Sequence, residues 1–160
     1  MHGPGSKWII AKWRRRLACA WLGLVASVVL SAHAAAPRFQ HFSTSDGLPQ
    51  QQVLSLHQDR LGYLWIGTYS GLGRYNGREF RIFSTADGLA SNSIQSFASS
   101  TDGALWIGTT RGLCRLLREG ERFDCSQSLP LSTASVQALA TRGSSVLVGT
   151  PQGLFQLQTD

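Results

Sequence analysis

The chain has 160 residues, 42% of them hydrophobic and 17 of them glycine, enough for one modest globular domain. Its formal charge is +6, but five of the fifteen Lys and Arg lie in the first 34 residues and all nine Asp and Glu lie beyond them, so residues 35–160 carry only +1. A nearly neutral remainder lacks the basic footprint needed to hold a phosphate backbone, which excludes a nucleic-acid partner.

Lys7, Lys12, Arg14, Arg15 and Arg16 precede an uncharged run from Leu17 to Ala32, and Ala32-His33-Ala34 follows. A basic start, an apolar helix-forming run and small residues three and one positions before a cut are the order of a Sec-type signal peptide over residues 1–34. Cleavage is expected after Ala34; a cut after Ala36 would put Pro37 at the following position, which the peptidase tolerates poorly. The rival reading is an uncleaved anchor, but the 16-residue run is shorter than the roughly 20 residues of a spanning helix. Arg16-Leu17-Ala18-Cys19 is a poor lipobox because Arg16 occupies a position that needs an aliphatic side chain. The remaining segment, 35–160, is expected in the periplasm.

That segment repeats itself. Phe42-Ser-Thr-Ser-Asp-Gly-Leu48 returns as Phe83-Ser-Thr-Ala-Asp-Gly-Leu89, and Leu64-Trp-Ile-Gly-Thr68 returns as Leu105-Trp-Ile-Gly-Thr109, both at an offset of 41. Val146-Leu-Val-Gly-Thr150 is a weaker third copy, and Gly71-Leu72, Gly112-Leu113 and Gly153-Leu154 keep the same step. Units of about 42–82, 83–125 and 126–160 follow. Within a unit the apolar spacing has period two, not 3.6. The first unit reads as strands over Val53–Gln58, Tyr63–Thr68, Leu72–Tyr75 and Glu79–Phe83, with a turn at Asp59–Gly62 and a tight hairpin at Asn76-Gly77. A repeat of this length holding four antiparallel strands is the size of a β-propeller blade, so the fold class is all-β, an incomplete propeller of about three blades.

Residues shared by the copies are those every blade needs. Trp65 and Trp106 are expected between neighbouring blades, with Leu147 standing in for them in the third copy. Gly67, Gly108 and Gly149 are expected to admit a neighbouring backbone, and Thr68, Thr109 and Thr150 to end the strand. A two-residue turn at Glu119-Gly120 would set Cys114 opposite Cys125. Counting back from that turn makes them a hydrogen-bonded pair, an awkward geometry for a disulfide, so a bridge and two buried thiols both stand as readings.

Asp46-Gly-Leu48, Val53-Leu-Ser-Leu-His-Gln-Asp59, Leu64-Trp-Ile-Gly-Thr68, Gly71-Leu72 and Arg74-Tyr-Asn-Gly77 together resemble the two-component regulator propeller repeat. The second unit resembles it through Asp87-Gly-Leu89, Asn92-Ser-Ile94, Leu105-Trp-Ile-Gly-Thr109 and Gly112-Leu113, while the third has lost Asp-Gly-Leu and the Trp. The resemblance implies the N-terminal part of a periplasmic ligand-sensing propeller in a signal-transduction receptor, with a membrane helix and a kinase or diguanylate cyclase module downstream. It implies a small-molecule or oligosaccharide ligand and dimerisation of the full receptor. Three blades fall short of the four to eight of a closed propeller, so either a longer product or a truncated remnant with exposed terminal edges is expected.

No catalytic constellation is read from the chain. His2, His33, His41 and His57 have no Cys or carboxylate at ligand spacing, so no metal and no cofactor is expected. Asp46, Asp59, Asp87 and Asp102 sit at turns, where a carboxylate accepts backbone hydrogen bonds. Ligand contact is expected at loops that vary on the shared framework: Tyr69, Arg111 and Gln152, just before the recurrent glycine of the third strand, with Gln50–Gln52 and Ser91–Ser93 as weaker candidates. Tyr69 would stack on a sugar face and Arg111 would bind a carboxylate. Against this receptor reading stand a secreted propeller enzyme, such as a lyase or glycan-degrading protein, and an envelope protein-binding scaffold.

Overall fold

The structure, a computed structural model, describes residues 38–117, 122–125 and 131–159. The expected signal segment 1–34 and the Glu119-Gly120 turn lie outside the described residues. Among the described residues no helix is long and apolar enough to cross a membrane.

Three antiparallel sheets follow one another along the chain, each with its strands in sequence order. The first holds β1 (Val53–Gln58), β2 (Leu64–Thr68), β3 (Leu72–Tyr75) and β4 (Phe80–Phe83). The second holds β5 (Ile94–Ser99), β6 (Leu105–Thr109), β7 (Gly112–Leu117) and β8 (Arg122–Asp124). The third holds β9 (Ala138–Arg142), β10 (Ser145–Thr150) and β11 (Gly153–Gln158). These are the blades. Phe83, the first residue of the second sequence unit, is the last residue of the first sheet.

The first two blades repeat in register as well as in sequence. Ser55 faces Gly67 in the first and Ser96 faces Gly108 in the second, each just after an irregularity that shifts the pairing between the first two strands. The hairpin between β3 and β4 departs from expectation. Tyr75 pairs with Phe80, and the Asn76 N–H donates to the Glu79 carbonyl at 3.3 Å, so the central residues are Gly77 and Arg78, not Asn76 and Gly77. The cause is the Asn76 side chain, whose Oδ1 accepts from the N–H groups of Arg78 and Glu79, both at 2.9 Å, and so acts before the turn instead of within it.

Each Asp-Gly-Leu segment forms a short 3-10 turn, Thr44–Asp46 and Thr85–Asp87. Asp46 and Asp87 reach back to accept from the N–H of Ser43 and Ser84, both at 2.8 Å. Gly47 and Gly88 end these turns with φ of 102° and 101°, a region open chiefly to glycine. The buried Leu48 and Leu89 follow and fix the chain's entry to the next blade.

The core lies between blades. Trp65, Leu72 and Phe83 of the first blade pack on Ile94, Leu105, Ile107, Cys114 and Phe123 of the second, with Leu89 from the connection between them. Trp106 and Leu113 of the second pack on Leu131, Val136, Val146 and Val148 of the third. Both tryptophans thus fill the expected junctions. Leu147, at the matching position, belongs to neither cluster and is half-buried on the far face of the last described blade. The shared glycines mark close approach: a Cβ on Gly67 would lie 2.9 Å from the Ile94 carbonyl oxygen, and one on Gly108 would lie 2.8 Å from that of Val136. Gly149 meets only Ala138 of its own blade.

β7 and β8 pair as Leu117 with Arg122, Leu116 with Phe123 and Arg115 with Asp124, a register that places Cys114 opposite Cys125. The two cysteines are joined as a disulfide. Their Cα atoms are 4.1 Å apart, a separation nearer to a non-hydrogen-bonded pair than to the hydrogen-bonded one obtained by counting back from the turn.

Candidate functional site

The turns between the second and third strand of each blade are built by threonine. Thr68 Oγ1 donates to the Gly71 carbonyl at 2.8 Å and accepts from the Ser70 N–H at 3.1 Å. Thr109 repeats this with Gly112 and Arg111, and Thr150 with Gly153 and Gln152. The hydroxyl closes the turn from inside, so the two residues between Thr and Gly are free to differ from blade to blade.

Tyr69, Arg111 and Gln152 stand on these three equivalent turns, all exposed to solvent. Each occupies its own blade, and no hydrogen bond, ion pair or ring contact joins any two of them among the described residues. The connections fall at the same end: Ser70 Oγ lies 3.4 Å from Gln50 Oε1, Ser91 Oγ lies 2.9 Å from Thr110 Oγ1, and the Thr110 N–H donates to the Ser93 carbonyl. The varied positions therefore form a row of polar turn tips, not an enclosed pocket.

A cleft of about 350 Å³ lies elsewhere, between the first two blades and at their opposite ends. The first blade supplies the β1–β2 turn, with Asp59, Arg60 and Leu61, and then Tyr63, Trp65 and Arg74. The second supplies an aliphatic wall of Leu105, Leu116 and Leu117. Asp59 organises the turn. Its Oδ1 accepts from the N–H groups of Leu61 and Tyr63 at 2.9 and 3.0 Å, and its Oδ2 accepts from Trp65 Nε1 at 2.8 Å. The Arg74 guanidinium lies 4.5 Å from the centre of the Tyr63 ring, a cation on an aromatic face. Arg60 Nη1 donates to the Thr101 carbonyl of the second blade at 3.0 Å and spans the cleft mouth.

The equivalent place in the second blade is built differently. Ser100 Oγ accepts from Trp106 Nε1 at 3.1 Å and itself donates to Asp102. The Ser100 hydroxyl, the Ala104 N–H and Arg115 together hold the Asp102 carboxyl below the usual carboxylate range. Arg115, at the position that answers to Arg74, pairs with Asp102 at 2.7 Å.

His57 Nε2 lies 2.6 Å from Ser99 Oγ of the second blade, and its ring faces Phe97 with centroids 6.2 Å apart. Burial pushes its pKa below the ordinary value, and the charge of Asp59 opposes that shift. No group of three or more His, Cys, Asp or Glu able to hold a metal occurs among the described residues.

Residues 47–70 and 88–111 match the family model described as two component regulator propeller. A 43-residue stretch is 42% identical to histidine kinase P4 of Formosa agariphila, covering 27% of this chain and 3% of that protein. Among solved structures, the extracellular domain of the hybrid two component system BT3049 from B. thetaiotaomicron superposes with a TM-score of 0.61 at 23% identity, over 77% of this chain and 19% of that one. The extracellular domain of BT4673 from the same organism gives 0.67 at 23% identity, over 79% and 18%. The chain thus spans under one fifth of the length of each, and these likenesses show the fold. With the repeat, the blade register and the inter-blade tryptophans in place, the segments 47–70 and 88–111 are two component regulator propeller repeats.

Proposed function

We propose that this chain is part of the ligand-sensing propeller of a signal-transduction receptor, exported to the periplasm and itself without catalytic activity. The observation that carries the reading is the match of residues 47–70 and 88–111, each a stretch leading into and through the first two strands of a four-stranded blade, to the two component regulator propeller model. The likeness to a histidine kinase over the repeat and the fold shared with extracellular domains of two component systems support it. In this reading the blade framework is rigid and the turn tips Tyr69, Arg111 and Gln152 meet a small molecule or oligosaccharide, while output belongs to other parts of a longer receptor.

The test combines location with binding. The protein expressed from its own start codon should appear in the osmotic-shock fraction of a Gram-negative host. Titration with neutral and acidic oligosaccharides should move the backbone amide signals of the three turns and leave the sugars chemically unchanged. Retention in the cytoplasm, or turnover of a glycan, would defeat the proposal.

A further inference from the structure

We infer that the Cys114–Cys125 disulfide is a redox-dependent latch on the junction between the first two blades: oxidised, it ties β8 to β7 and to the connecting segment 88–90; reduced, it lets β8 leave. For its setting the inference rests on the exported reading above, since an oxidising compartment keeps the bond closed, but its chemistry stands on the second blade alone.

The bond is built by replacements that go together. At the 41-residue step, Pro49, Gly73 and Ser84 answer to Ala90, Cys114 and Cys125. In the first blade a Cβ on Gly73 would already press on Pro49 Cδ at 3.1 Å, before any further side-chain atom. In the second, Ala90 takes the place of the proline, and its N–H, which a proline lacks, donates to Cys114 Sγ at 3.4 Å. Ser43 and Ser84 cap the two Asp-Gly-Leu turns. Cys125 stands at that capping position in the copy that has lost Asp-Gly-Leu, so a covalent bond holds the chain where hydrogen bonds hold it in the earlier copies.

What the bond holds is part of the inter-blade core. The described β8 pairs with β7 at three residues, Arg122, Phe123 and Asp124, and Cys125 follows at once. Phe123 is 8% exposed and meets Phe83 of the first blade edge-on at 5.3 Å. The connecting segment lies against this strand: a Cβ on Gly88 would be 3.3 Å from the Phe123 carbonyl oxygen, and Cys125 Sγ is 3.2 Å from the Gly88 carbonyl oxygen. Leu89, between Gly88 and Ala90, is buried in the same core. Freeing Cys125 therefore releases the end of β8 and its grip on the connection in one step.

A dithiol reductant supplies the reaction. Its thiolate attacks the half-buried Cys125 Sγ, the sulfur–sulfur bond breaks, and the electron pair leaves with Cys114 Sγ, which takes a proton. The second thiol of the reductant resolves the mixed disulfide, so the protein gains two electrons and two protons and the reductant becomes a disulfide. Cys114 is fully buried among apolar side chains, where an anion is costly. Exchange is thus coupled to the opening of β8, and a closed junction protects the bond that closes it.

The first blade gives an internal control, because β4 has no disulfide. Purified protein treated with dithiothreitol, with both thiols confirmed by alkylation and mass spectrometry, should exchange the β8 amides at least about tenfold faster, while β4 and the third blade keep their protection. The nuclear Overhauser contact between the Phe83 and Phe123 rings should vanish with it. Cys125→Ser, which installs the residue of the earlier copies, should show the fast β8 exchange without reductant and ignore dithiothreitol. Unchanged β8 exchange with both thiols free overturns the inference, as does loss of protection throughout the molecule, which would make the bond a staple of the whole domain. Indifference of β8 in a protein recovered from the osmotic-shock fraction would sink the latch and leave the export reading standing. A working latch in a protein retained in the cytoplasm would sink the export reading instead.

Discussion

The two inter-blade junctions are built on one plan and filled with different chemistry. Between the first and second blades, Trp65 stacks on Phe83 with centroids 5.9 Å apart, and Phe83 meets Phe123 edge-on at 5.3 Å. Between the second and third, Trp106 is the one aromatic ring among the described buried residues of a cluster otherwise made of Leu and Val, with the half-buried Phe155 packed against it. Trp65 donates to a carboxylate, whereas Trp106 donates to a hydroxyl that leans on a carboxylate two residues later. What the repeat demands at the turn is an acceptor for a buried indole N–H, and Asp59 alone or Ser100 with Asp102 satisfies it.

The largest expected effect tests this contrast directly. Trp65→Ala and Trp106→Ala should each cost about 3–5 kcal/mol of unfolding free energy, the range for a large aromatic removed from a core. Trp65 should cost more, because its loss also unstacks Phe83 and strands a carboxylate that had been a charged acceptor. Urea unfolding followed by far-UV circular dichroism measures both. The reverse order would mean that the aromatic first junction adds nothing beyond the shared plan.

Next come the glycines. Gly67→Ala and Gly108→Ala each force a Cβ against a backbone carbonyl of the following blade, 2.9 and 2.8 Å away. Each should lose about 1–3 kcal/mol, as overpacking of a dense interior does. Gly149→Ala meets Ala138 Cβ at 3.3 Å, a tight contact within one sheet that a shift of a few tenths of an ångström relieves, and should fall clearly below both. Melting temperatures of the three variants rank them, and a Gly149 variant as damaged as the others would show that close approach is not what the glycine serves.

These contrasts also show how far the sequence could be read. Comparing copies at the 41-residue step found positions that hold the fold, Trp65 and Trp106 and the close-approach Gly67 and Gly108; alternation within the first unit placed β1 and β3 to the residue, and the expected turn at Glu119-Gly120 set Cys114 opposite Cys125. The same comparison is blind where copies differ, and the cleft is made of differences. Leu61 and Tyr63 answer to Asp102 and Ala104, and the opposite wall comes from a blade whose facing side chains no local pattern announces. A signal was present, an apolar and an aromatic residue in a turn where the second copy has Asp and Ala, but turn positions are ordinarily read as polar and solvated. The Asn76 turn and the irregular pairing after Val53 and Ile94 escaped for another reason. Side-chain acceptance and an extra strand residue alter hydrogen-bond register without altering hydrophobic alternation.

A smaller effect separates the junctions by pH. His57 bridges to Ser99 and faces Phe97, with Trp65 as its cross-strand partner and the Asp59 charge nearby, while the second blade has Ala98 at the matching position. Burial lowers the folded-state pKa of His57 below its ordinary 6.5, so between the two values the unfolded chain binds more protons. The contribution is fully present above about pH 6.5 and is lost as the pH falls through the folded-state value. Asp46, lowered chiefly by the Ser43 N–H, and Asp102, lowered chiefly by the Ser100 hydroxyl, titrate below that window. Urea midpoints measured from pH 8 to pH 5 should fall in the parent and flatten in His57→Gln. An equal slope in both would assign the acid sensitivity elsewhere.

The smallest expected effect has opposite signs at the two junctions. Ser55 and Ser96 face Gly67 and Gly108, and a Cβ on either glycine would collide with the serine hydroxyl, so the glycine makes the room that the hydroxyl occupies. Ser96 Oγ uses that room to donate to the Val136 carbonyl of the third blade at 3.4 Å. Ser55 Oγ is enclosed and has no hydrogen-bond partner among the described residues. Removing an unsatisfied buried hydroxyl relieves a desolvation cost, whereas removing a bonded one exposes a carbonyl to the same cost. Ser55→Ala should therefore leave stability unchanged or raise it by up to about 1 kcal/mol, and Ser96→Ala should lower it by about 0.5–1 kcal/mol. A Ser55 variant destabilised as much as the Ser96 variant would show that the first hydroxyl finds an acceptor in solution, and that the two junctions agree at this position.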